Sequence, residues 1–418
     1  MVQPVAFAPS RTEGLRRLEA FAAQAGPAYA ARRNYDLGPQ RRTNVSCLSP
    51  WIRHRLITER EVLTRVLQSH DLKAAEKFVQ EVVWRGYFKG WLEHRPAVWQ
   101  AYQSGRDRAL AGLRSDRRQA AQFAAATQGE TGIEGFDDWA RELIETGYLH
   151  NHARMWFASI WIFTLRLPWE LGADFFLRHL ADGDPASNTL SWRWVAGLHT
   201  RGKAYTARPS NIATYTGERF APQGLADPVT PLHEAEPPAP KPIPPSDTLP
   251  QGDHLLLVTE EDCHLGAELP RAPAAVLGLC RPDSRSPLGV GEVVRGFCEG
   301  AVADGVARIS RHHGVPDRML SAAWQEALVD AARDAGVRHV LTAYAPVGPV
   351  ADALSNLEPT LNQAGMHLVR VRRRYDDILW PHATKGFFKM KMKIPQMLAQ
   401  LDLIGPHADL AAGSGGSA

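Results

Sequence analysis

Charged and aromatic side chains are concentrated in an apolar stretch that runs from Thr146 to Trp194. The stretch holds Arg154, the motif Asp182-Gly-Asp184, Asn188 and several tryptophans. Charged groups in an apolar setting need partners, because an unpaired buried charge is strongly destabilising. Indoles beyond those that a core requires suggest stacking on a flat ligand. The composition of the stretch therefore predicts a binding site for a planar, polar molecule.

A second candidate segment lies in the helical pattern over 73–92, where Glu81, Trp84, Arg85 and Phe88 recur at helical spacing. Such offsets place the four side chains on one helical face. A core helix would not normally bring Glu, Trp and Arg together on that face. An amphipathic helix with a surface ion pair explains the same spacing, so the segment alone leaves both interpretations open.

Hydroxyl side chains recur in the segment 43–50, Thr-Asn-Val-Ser-Cys-Leu-Ser-Pro. Hydroxyls and free backbone N–H groups at a helix N-terminus favour anions such as a diphosphate. The same pattern is also typical of an ordinary N-cap. The candidates for an anion site are Thr43, Ser46, Leu48 and Ser49, with Tyr29 nearby.

The elements that must position these residues are mostly helical up to about residue 200. Periodic stretches follow Ser10 and occupy about 56–69, 73–92 and 137–165, and Ser10 with Glu13 has the spacing of a capping box. Ten prolines then fall between 222 and 250, a composition that cannot hold a packed core. We predict an all-helical domain over 1–221, a linker over 222–252, a second domain over 253–405 and a flexible tail over 406–418.

The second domain shows short apolar runs that alternate with helical patterns. This alternation predicts a parallel sheet covered by helices on both faces. The fold class is therefore multi-domain, all-α followed by a Rossmann-like α/β domain. Candidate strands occupy 254–258, 275–279, 337–342 and 367–371, and candidate helices lie near 291–303, 319–336 and 350–365.

The net charge of +3 is unevenly distributed. Residues 1–220 carry 30 Lys and Arg against 22 Asp and Glu, and the remainder carries 18 against 23. A basic, Arg-rich half is expected of a protein that contacts phosphates, although a GC-rich genome gives the same bias. The four cysteines form no CxxC pair, which argues against zinc or an iron–sulfur cluster and fits a reducing cytoplasm. We expect a cytoplasmic protein without a signal peptide or membrane span.

These segments resemble the FAD-binding catalytic domain of the DNA photolyase and cryptochrome family over most of residues 7–210. The resemblance implies FAD as the cofactor. In that family the hydroxyl-bearing segment holds the flavin-adenine diphosphate, an Arg–Asp pair lies beside the flavin, and a neutral Asn faces its redox-active nitrogen. The matching residues are Tyr29, Thr43, Ser46, Leu48, Ser49, Arg154, Asp182, Asp184 and Asn188.

The resemblance also implies a pocket for a cyclobutane pyrimidine dimer in UV-damaged DNA. In photolyases the matching Glu hydrogen-bonds the dimer, two Trp wall the pocket, and an Asn and a Met line it. Trp192 and Trp169 match the inner two members of the electron-transfer chain. The outer member has no clear counterpart, with Trp161 or Trp156 as substitutes. The matching pocket residues are Glu81, Trp84, Asn151, Met155 and Trp194.

The domain order departs from the family, whose α/β antenna domain comes first. Segments at 344–354, 364–367 and 375–382 resemble the closing part of that antenna domain, which implies a circular permutation. A generic Rossmann-like domain fits the same pattern, and the sequence identifies no antenna chromophore. The segment 202–212 after the last tryptophan of the pocket also differs from the usual family pattern.

We therefore expect a deoxyribodipyrimidine photolyase-like lyase, a monomer without bound metal, in which excited reduced FAD donates an electron to a pyrimidine dimer. A cryptochrome-like blue-light photoreceptor with the same flavin site is the alternative. A light-independent flavoprotein that kept the scaffold is a third interpretation.

Overall fold

The computed structural model describes residues 7–405. The tail predicted over 406–418 lies outside the described residues. Among the described residues, strands occur only from His254 onward, and every regular element up to Thr216 is a helix. The described part thus consists of a helical half and an α/β half, joined by an irregular segment.

The helical half contains twelve α-helices and one π-helical turn, Ile160–Thr164. They are α1 (Arg11–Ala22), α2 (Pro27–Arg32), α3 (Ser49–Arg53), α4 (Glu59–Ser69), α5 (Glu76–Glu93), α6 (Ala97–Leu113), α7 (Arg117–Gln128), α8 (Phe136–Thr146), α9 (Asn151–Ser159), α10 (Trp169–His179), α11 (Pro185–Val195) and α12 (Pro209–Thr216).

Local sequence explains where several of these helices begin and end. Ser10 caps α1 by accepting a bond from the Glu13 N–H at 3.3 Å, but the Glu13 carboxylate pairs with Arg16 and Arg17 instead of returning to Ser10. The predicted capping box is therefore only half formed. Gly147, at φ +68°, ends α8 and divides the predicted helix over 137–165. Left-handed backbone of this kind favours glycine.

The α/β half is built on a five-stranded parallel sheet with strand order β3-β2-β1-β4-β5. Leu256 and Val258 of β1 face the core shared with the helical half, and Leu255 and Leu257 face the opposite layer. The elements are β1 (His254–Thr259), β2 (Ala275–Leu279), α13 (Glu292–His313), β3 (Asp317–Met319), α14 (Trp324–Asp334), β4 (His339–Ala343), α15 (Pro349–Gln363), β5 (His367–Val371), α16 (Arg374–Leu379), α17 (Phe387–Lys391) and α18 (Ile394–Gln400).

Some boundaries in this half differ from the prediction. Strand β3, which was not predicted, ends at Met319, where a helix was expected to begin, and α14 starts only at Trp324. All three residues of β3 are exposed, so they carry no alternating burial pattern to mark a strand. Helix α13 also continues to His313, well beyond the predicted end near 303.

Residues 222–252 form no helix or strand, and all of them lie in the described part of the chain. Hydrogen bonds nonetheless connect this segment to both halves. The backbone N–H of Leu232 donates to the Ala196 carbonyl at 2.9 Å, and that of Lys241 donates to the His94 carbonyl at 2.8 Å. Farther on, the Arg370 N–H donates to Asp247 Oδ2 at 2.8 Å. The linker therefore runs along the surface as an extended, hydrogen-bonded strap.

Buried ion pairs join the two halves. Arg55 Nη2 lies 2.7 Å from both carboxylate oxygens of Asp376. Arg53 donates to both oxygens of Glu261 at 2.6 and 2.8 Å. At Gly90 of α5 an added Cβ would lie 2.7 Å from the Trp380 Cα, so only glycine permits this approach. Helix α5 of the helical half therefore packs directly against the α/β half.

No helix in the described range 7–405 is long and apolar enough to cross a membrane.

Candidate functional site

The centre of the candidate site is an ion pair between α9 and the loop before α11. Arg154 Nη2 donates to Asp182 Oδ2 at 2.9 Å, with 23% of the Arg154 side chain and 2% of the Asp182 side chain accessible. Burial favours a raised pKa for Asp182, but Arg154, Arg85 and hydrogen bonds from Arg154 and Ser49 hold that pKa below its usual value. Asp182 is therefore a buried carboxylate at neutral pH.

Two buried polar atoms at this pair have no hydrogen-bond partner among residues 7–405. They are Asp182 Oδ1, an acceptor, and Arg85 Nη2, a donor. Leaving such atoms unpaired is costly, so their presence indicates a polar ligand. The edge of a flavin ring system carries both N–H donors and carbonyl acceptors. Asp182 Oδ1 and Arg85 Nη2, one acceptor and one donor, fit such an edge.

Asp184 is more fully engaged by the protein. Its Oδ1 accepts from the Ser187 N–H at 2.8 Å and so caps α11. Its carboxylate also lies 3.5 Å from Lys89 Nζ and 3.8 Å from Arg53 Nε. Burial opposes ionisation, yet these two cations hold the pKa of Asp184 well below its usual range. The predicted contact of Asp184 with a flavin stays a prediction.

Asn188 and Trp192 project from α11 into the same core. Asn188 is 7% exposed, and its Nδ2 donates to the Ala173 carbonyl at 2.7 Å. The Trp192 ring lies 6.2 Å from that of Trp161, at 86°. At Gly172 of α10 an added Cβ would lie 2.2 Å from Trp192, so glycine gives this indole its space. Trp161, a predicted substitute in the electron-transfer chain, thus directly contacts Trp192.

Trp169 belongs to a different aromatic path. Its ring centroid lies 5.8 Å from that of Tyr102, and Tyr102 lies 5.1 Å from Trp99. Sequence reasoning did not select Tyr102 or Trp99, which lie one turn apart on α6. Trp156, the other predicted substitute, packs on Trp139 at 5.5 Å. Two aromatic paths therefore begin near the site.

The hydroxyl-bearing segment reaches the site at one residue. Helix α3 begins only at Ser49, so Thr43 and Ser46 are not in its first turn as the sequence suggested. Thr43 is exposed, and Ser46 Oγ accepts from the Leu48 N–H at 3.4 Å. Ser49 is close enough to Asp182 to help lower the pKa of that carboxyl group. The bond from the Leu48 N–H to Ser46 Oγ forms a local turn, and this turn competes with an earlier start of α3.

Glu81 and Trp84 lie on the accessible part of α5. Glu81 forms an ion pair with Arg33, and 41% of the Glu81 side chain remains accessible. Burial nevertheless raises the pKa of Glu81, although Arg33 opposes the shift. Tyr29 is close enough to feel the Glu81 charge, and packs on Phe78 at 5.3 Å.

Phe387 of α17 lies against Trp84, with ring centroids 3.7 Å apart and planes at 33°. One face of this indole is thereby covered, and a stacking ligand can use only the other. Sequence reasoning missed this contact, because it joins residues 303 positions apart. Trp194 stacks on Tyr205 at 5.6 Å. A slot between Trp84 and Trp194 stays a prediction.

The remaining pocket candidates are on α9. Asn151 is its first residue and is exposed, and Met155 follows one turn later, half-buried. Arg154 lies between them and pairs with Asp182, so α9 presents candidates of both kinds.

Comparison with known proteins supports this assignment of the helical half. Residues 78–225 match the family described as the FAD binding domain of DNA photolyase. The chain is 36% identical to a deoxyribodipyrimidine photo-lyase of Streptomyces griseus over 182 residues, which cover 43% of this chain and 37% of the relative. It is 30% identical to that of Thermus thermophilus over 224 residues, which cover 52% and 49%.

Two solved structures are also similar to part of the chain. A bacterial class III photolyase from Agrobacterium tumefaciens matches with a TM-score of 0.40 and 28% identity, covering 50% of this chain and 43% of that one. A Synechocystis cryptochrome matches with a TM-score of 0.42 and 25% identity, covering 51% and 44%. The chain thus spans less than half the length of these relatives.

Residues 78–225, most of the helical half, thus match an FAD-binding domain of the photolyase type. Over that part, the chain is similar to members of the DNA photolyase family.

Proposed function

We propose that this protein repairs cyclobutane pyrimidine dimers in UV-damaged DNA by light-driven, FAD-dependent electron transfer. The observation that carries the proposal is the Arg154–Asp182 pair with its unpartnered acceptor, placed inside a domain of the photolyase type. Relatives that match this domain are named deoxyribodipyrimidine photo-lyase, which supports the reaction class.

Asp182, Arg85 and Arg154 would hold the polar edge of FAD. Asp182 Oδ1 would accept a hydrogen bond from FAD, Arg85 Nη2 would donate one to it, and Arg154 keeps Asp182 ionised. When bound in its reduced form, FAD supplies a photoexcited electron, and the protein contributes binding and orientation. Asn188 would keep a neutral side chain near the ring, which favours an anionic reduced flavin. The contacts of Tyr29, Thr43, Ser46, Leu48 and Asp184 with FAD are part of the same proposal.

Glu81 would hold the lesion through a hydrogen bond. Its carboxylate is partly accessible beside Arg33 and can accept a hydrogen bond from a pyrimidine N–H group. The free face of Trp84 would stack on the extruded bases, with Trp194 opposite. Asn151 and Met155 would shape the pocket. Trp192 and Trp169 would deliver electrons to oxidised FAD.

We also propose that the α/β half is a permuted counterpart of the antenna domain. The segment that resembles the end of that domain docks directly on α5. Tyr344 Oη donates to Glu93 Oε2 at 2.7 Å, and the Val347 N–H donates to Glu93 Oε1 at 2.6 Å. This packing supports an arrangement in which the two halves form one functional unit, acting as a monomer.

A cryptochrome-like photoreceptor is the second candidate function. Phe387 favours it, because this ring covers one face of an indole that a repair enzyme would use for stacking. The same flavin site would then transmit a light signal to a partner without repairing DNA.

Replacement of Trp84 tests which function the site serves. We expect Trp84→Ala to weaken binding of a dimer-containing oligonucleotide roughly 5- to 150-fold, as loss of one aromatic stacking partner implies, and to leave the flavin content unchanged. Trp324→Ala is the control, since Trp324 lies in the opposite layer of the α/β half. Loss of flavin in Trp84→Ala would show that Trp84 contacts the cofactor instead of the lesion. Unchanged binding of damaged DNA would favour the photoreceptor.

A further inference from the structure

The segment around α17 combines a high positive charge with exposed apolar side chains. Between residues 378 and 401 the chain contains no Asp or Glu, and it carries lysines at 385, 389, 391 and 393. Phe388 is 78% exposed and Met392 is 75% exposed, the largest values among the large apolar residues described. Exposed apolar groups of this kind indicate a contact surface when they cluster.

The backbone of the segment is fixed although its outer face is free. Phe387 and Met390 are buried at 5% and 0% exposure and anchor α17 to the core. Phe388 and Met392 are one helical turn apart, so they project side by side. We name these two residues the apolar pair.

The lysines lie on the neighbouring face. Lys385, Lys389 and Lys393 recur every four residues and are all exposed. None of the three forms an ion pair within residues 7–405, and Lys393 Nζ contacts only the ring nitrogen of His382, at 3.1 Å. Lys391, by contrast, pairs with Glu76 of α5 at 3.0 Å. Three lysine charges therefore remain uncompensated beside the apolar pair.

The position of the segment relates it to the candidate site. Phe387, next to Phe388 in sequence, lies against Trp84, and Lys391 binds the start of the helix that carries Glu81 and Trp84. The surface formed by α17 therefore borders the part of α5 proposed to contact a lesion.

We propose that α17 is a second DNA-contacting element, supplied by the α/β half. The three lysines bind backbone phosphates beside the lesion, and the apolar pair contacts sugars or unstacked bases. Lysines that flank protruding Phe and Met side chains fit a deformed duplex, into which proteins insert such wedges. A membrane surface fits less well, because a five-residue helix offers only one turn of apolar contact. This inference rests on the proposed repair function.

The salt dependence of binding tests the lysines. The double variant Lys389→Gln/Lys393→Gln should bind a dimer-containing duplex with a log–log salt slope that is smaller by about 1.8, since each phosphate contact contributes about 0.9. Arg311→Gln, an exposed change on α13, is the control and should leave the slope unchanged. An unaltered slope in the lysine variant would overturn the assignment.

The apolar pair is tested separately. Phe388→Ala/Met392→Ala should weaken the same binding about tenfold with no change in slope, as loss of buried apolar contact predicts. Leu288→Ala, at an exposed apolar position elsewhere, should have no effect. If the double variant bound the duplex with the same affinity as the wild type, contact of the apolar pair with DNA would be refuted.

Repair by the wild-type protein separates this inference from the proposed function. Light-dependent repair with unchanged binding by the α17 variants would overturn the inference alone. Altered DNA binding by those variants, without repair by the wild type, would support the α17 surface and refute the repair function. Wild-type binding to anionic lipid vesicles without duplex binding would overturn the choice of nucleic acid.

Discussion

Replacement of Asp182 by Asn tests the assignment of the flavin site most quantitatively. The substitution keeps the size of the side chain and one acceptor oxygen, but it removes the negative charge. Arg154 then loses its partner at 2.9 Å. The variant should therefore lower both protein stability and FAD affinity, and each effect has its own magnitude.

The stability effect follows from the burial of the pair. Breaking a fully buried ion pair costs about 3–5 kcal/mol, because one charge stays behind unpaired. With 23% of its side chain accessible, Arg154 is partly solvated, so we expect a smaller loss of about 2–3 kcal/mol. The FAD effect follows from exchanging a charged acceptor for a neutral one. A charge-assisted hydrogen bond exceeds a neutral one by about 1.4 kcal/mol, which corresponds to about tenfold in Kd.

Two measurements separate these effects. Urea unfolding of the flavin-free protein gives the loss of stability without a contribution from ligand binding. Fluorescence titration with FAD gives the Kd. The matched control is Asp137→Asn, because Asp137 is also buried and accepts from the Thr131 and Gly132 N–H groups at 3.0 and 2.7 Å, outside the site. The control should lose stability and keep its FAD affinity. An unchanged FAD affinity in Asp182→Asn would refute the assignment of this carboxylate to the flavin.

Three further predictions concern electron transfer, pH dependence and the junction between the halves. Trp192→Phe should slow photoreduction of oxidised FAD, read from the loss of flavin absorbance under blue light; an unchanged rate would exclude Trp192 from the path. Burial raises the pKa of Asp174 from 3.8 to about 6 in the folded protein. The folded protein therefore favours the protonated carboxyl group, and the stability that this group contributes below pH 3.8 is lost as the pH rises through 6. Asp174→Asn should then be more stable than wild type at pH 7 by up to about 3 kcal/mol, and the difference should shrink towards pH 4 in urea titrations. Arg55 also pairs with Glu59 at 3.2 Å, so Arg55→Met should cost about 3–5 kcal/mol by removing the cation from both Asp376 and Glu59. Arg55→Met/Asp376→Leu should recover the part due to Asp376; no recovery in urea unfolding would contradict a stabilising Arg55–Asp376 pair.

Elements with a clear local signal could be predicted from the sequence. The runs at 275–279 and 367–371 coincide with β2 and β5, because both are short, apolar and bounded by turns. Helices α4 and α5 lie in the periodic stretches predicted over 56–69 and 73–92, to within one residue. Strand β3 could not be predicted, since three exposed residues carry no pattern and form a strand only by pairing with β2.

The features of the site likewise divide into those expected from the sequence and those that depend on tertiary packing. The Arg154–Asp182 pair was expected from the family resemblance, and the structure contains it. The contact between Phe387 and Trp84 could not be anticipated, because it depends on how the α/β half packs on α5. The same holds for Asp184, whose partners Lys89 and Arg53 come from two other helices. Pairings between distant elements are decided by tertiary packing, which local periodicity does not encode.

Light-dependent repair is the most direct test of the proposed function. Purified protein with reduced FAD would be mixed with an oligonucleotide that carries one thymine dimer, and samples would be kept in darkness or under blue light. We predict that intact thymines reappear only in the illuminated sample, and that Trp84→Ala reduces their yield at limiting DNA concentration. A normal flavin spectrum without any repair in the light would contradict a photolyase and favour the photoreceptor.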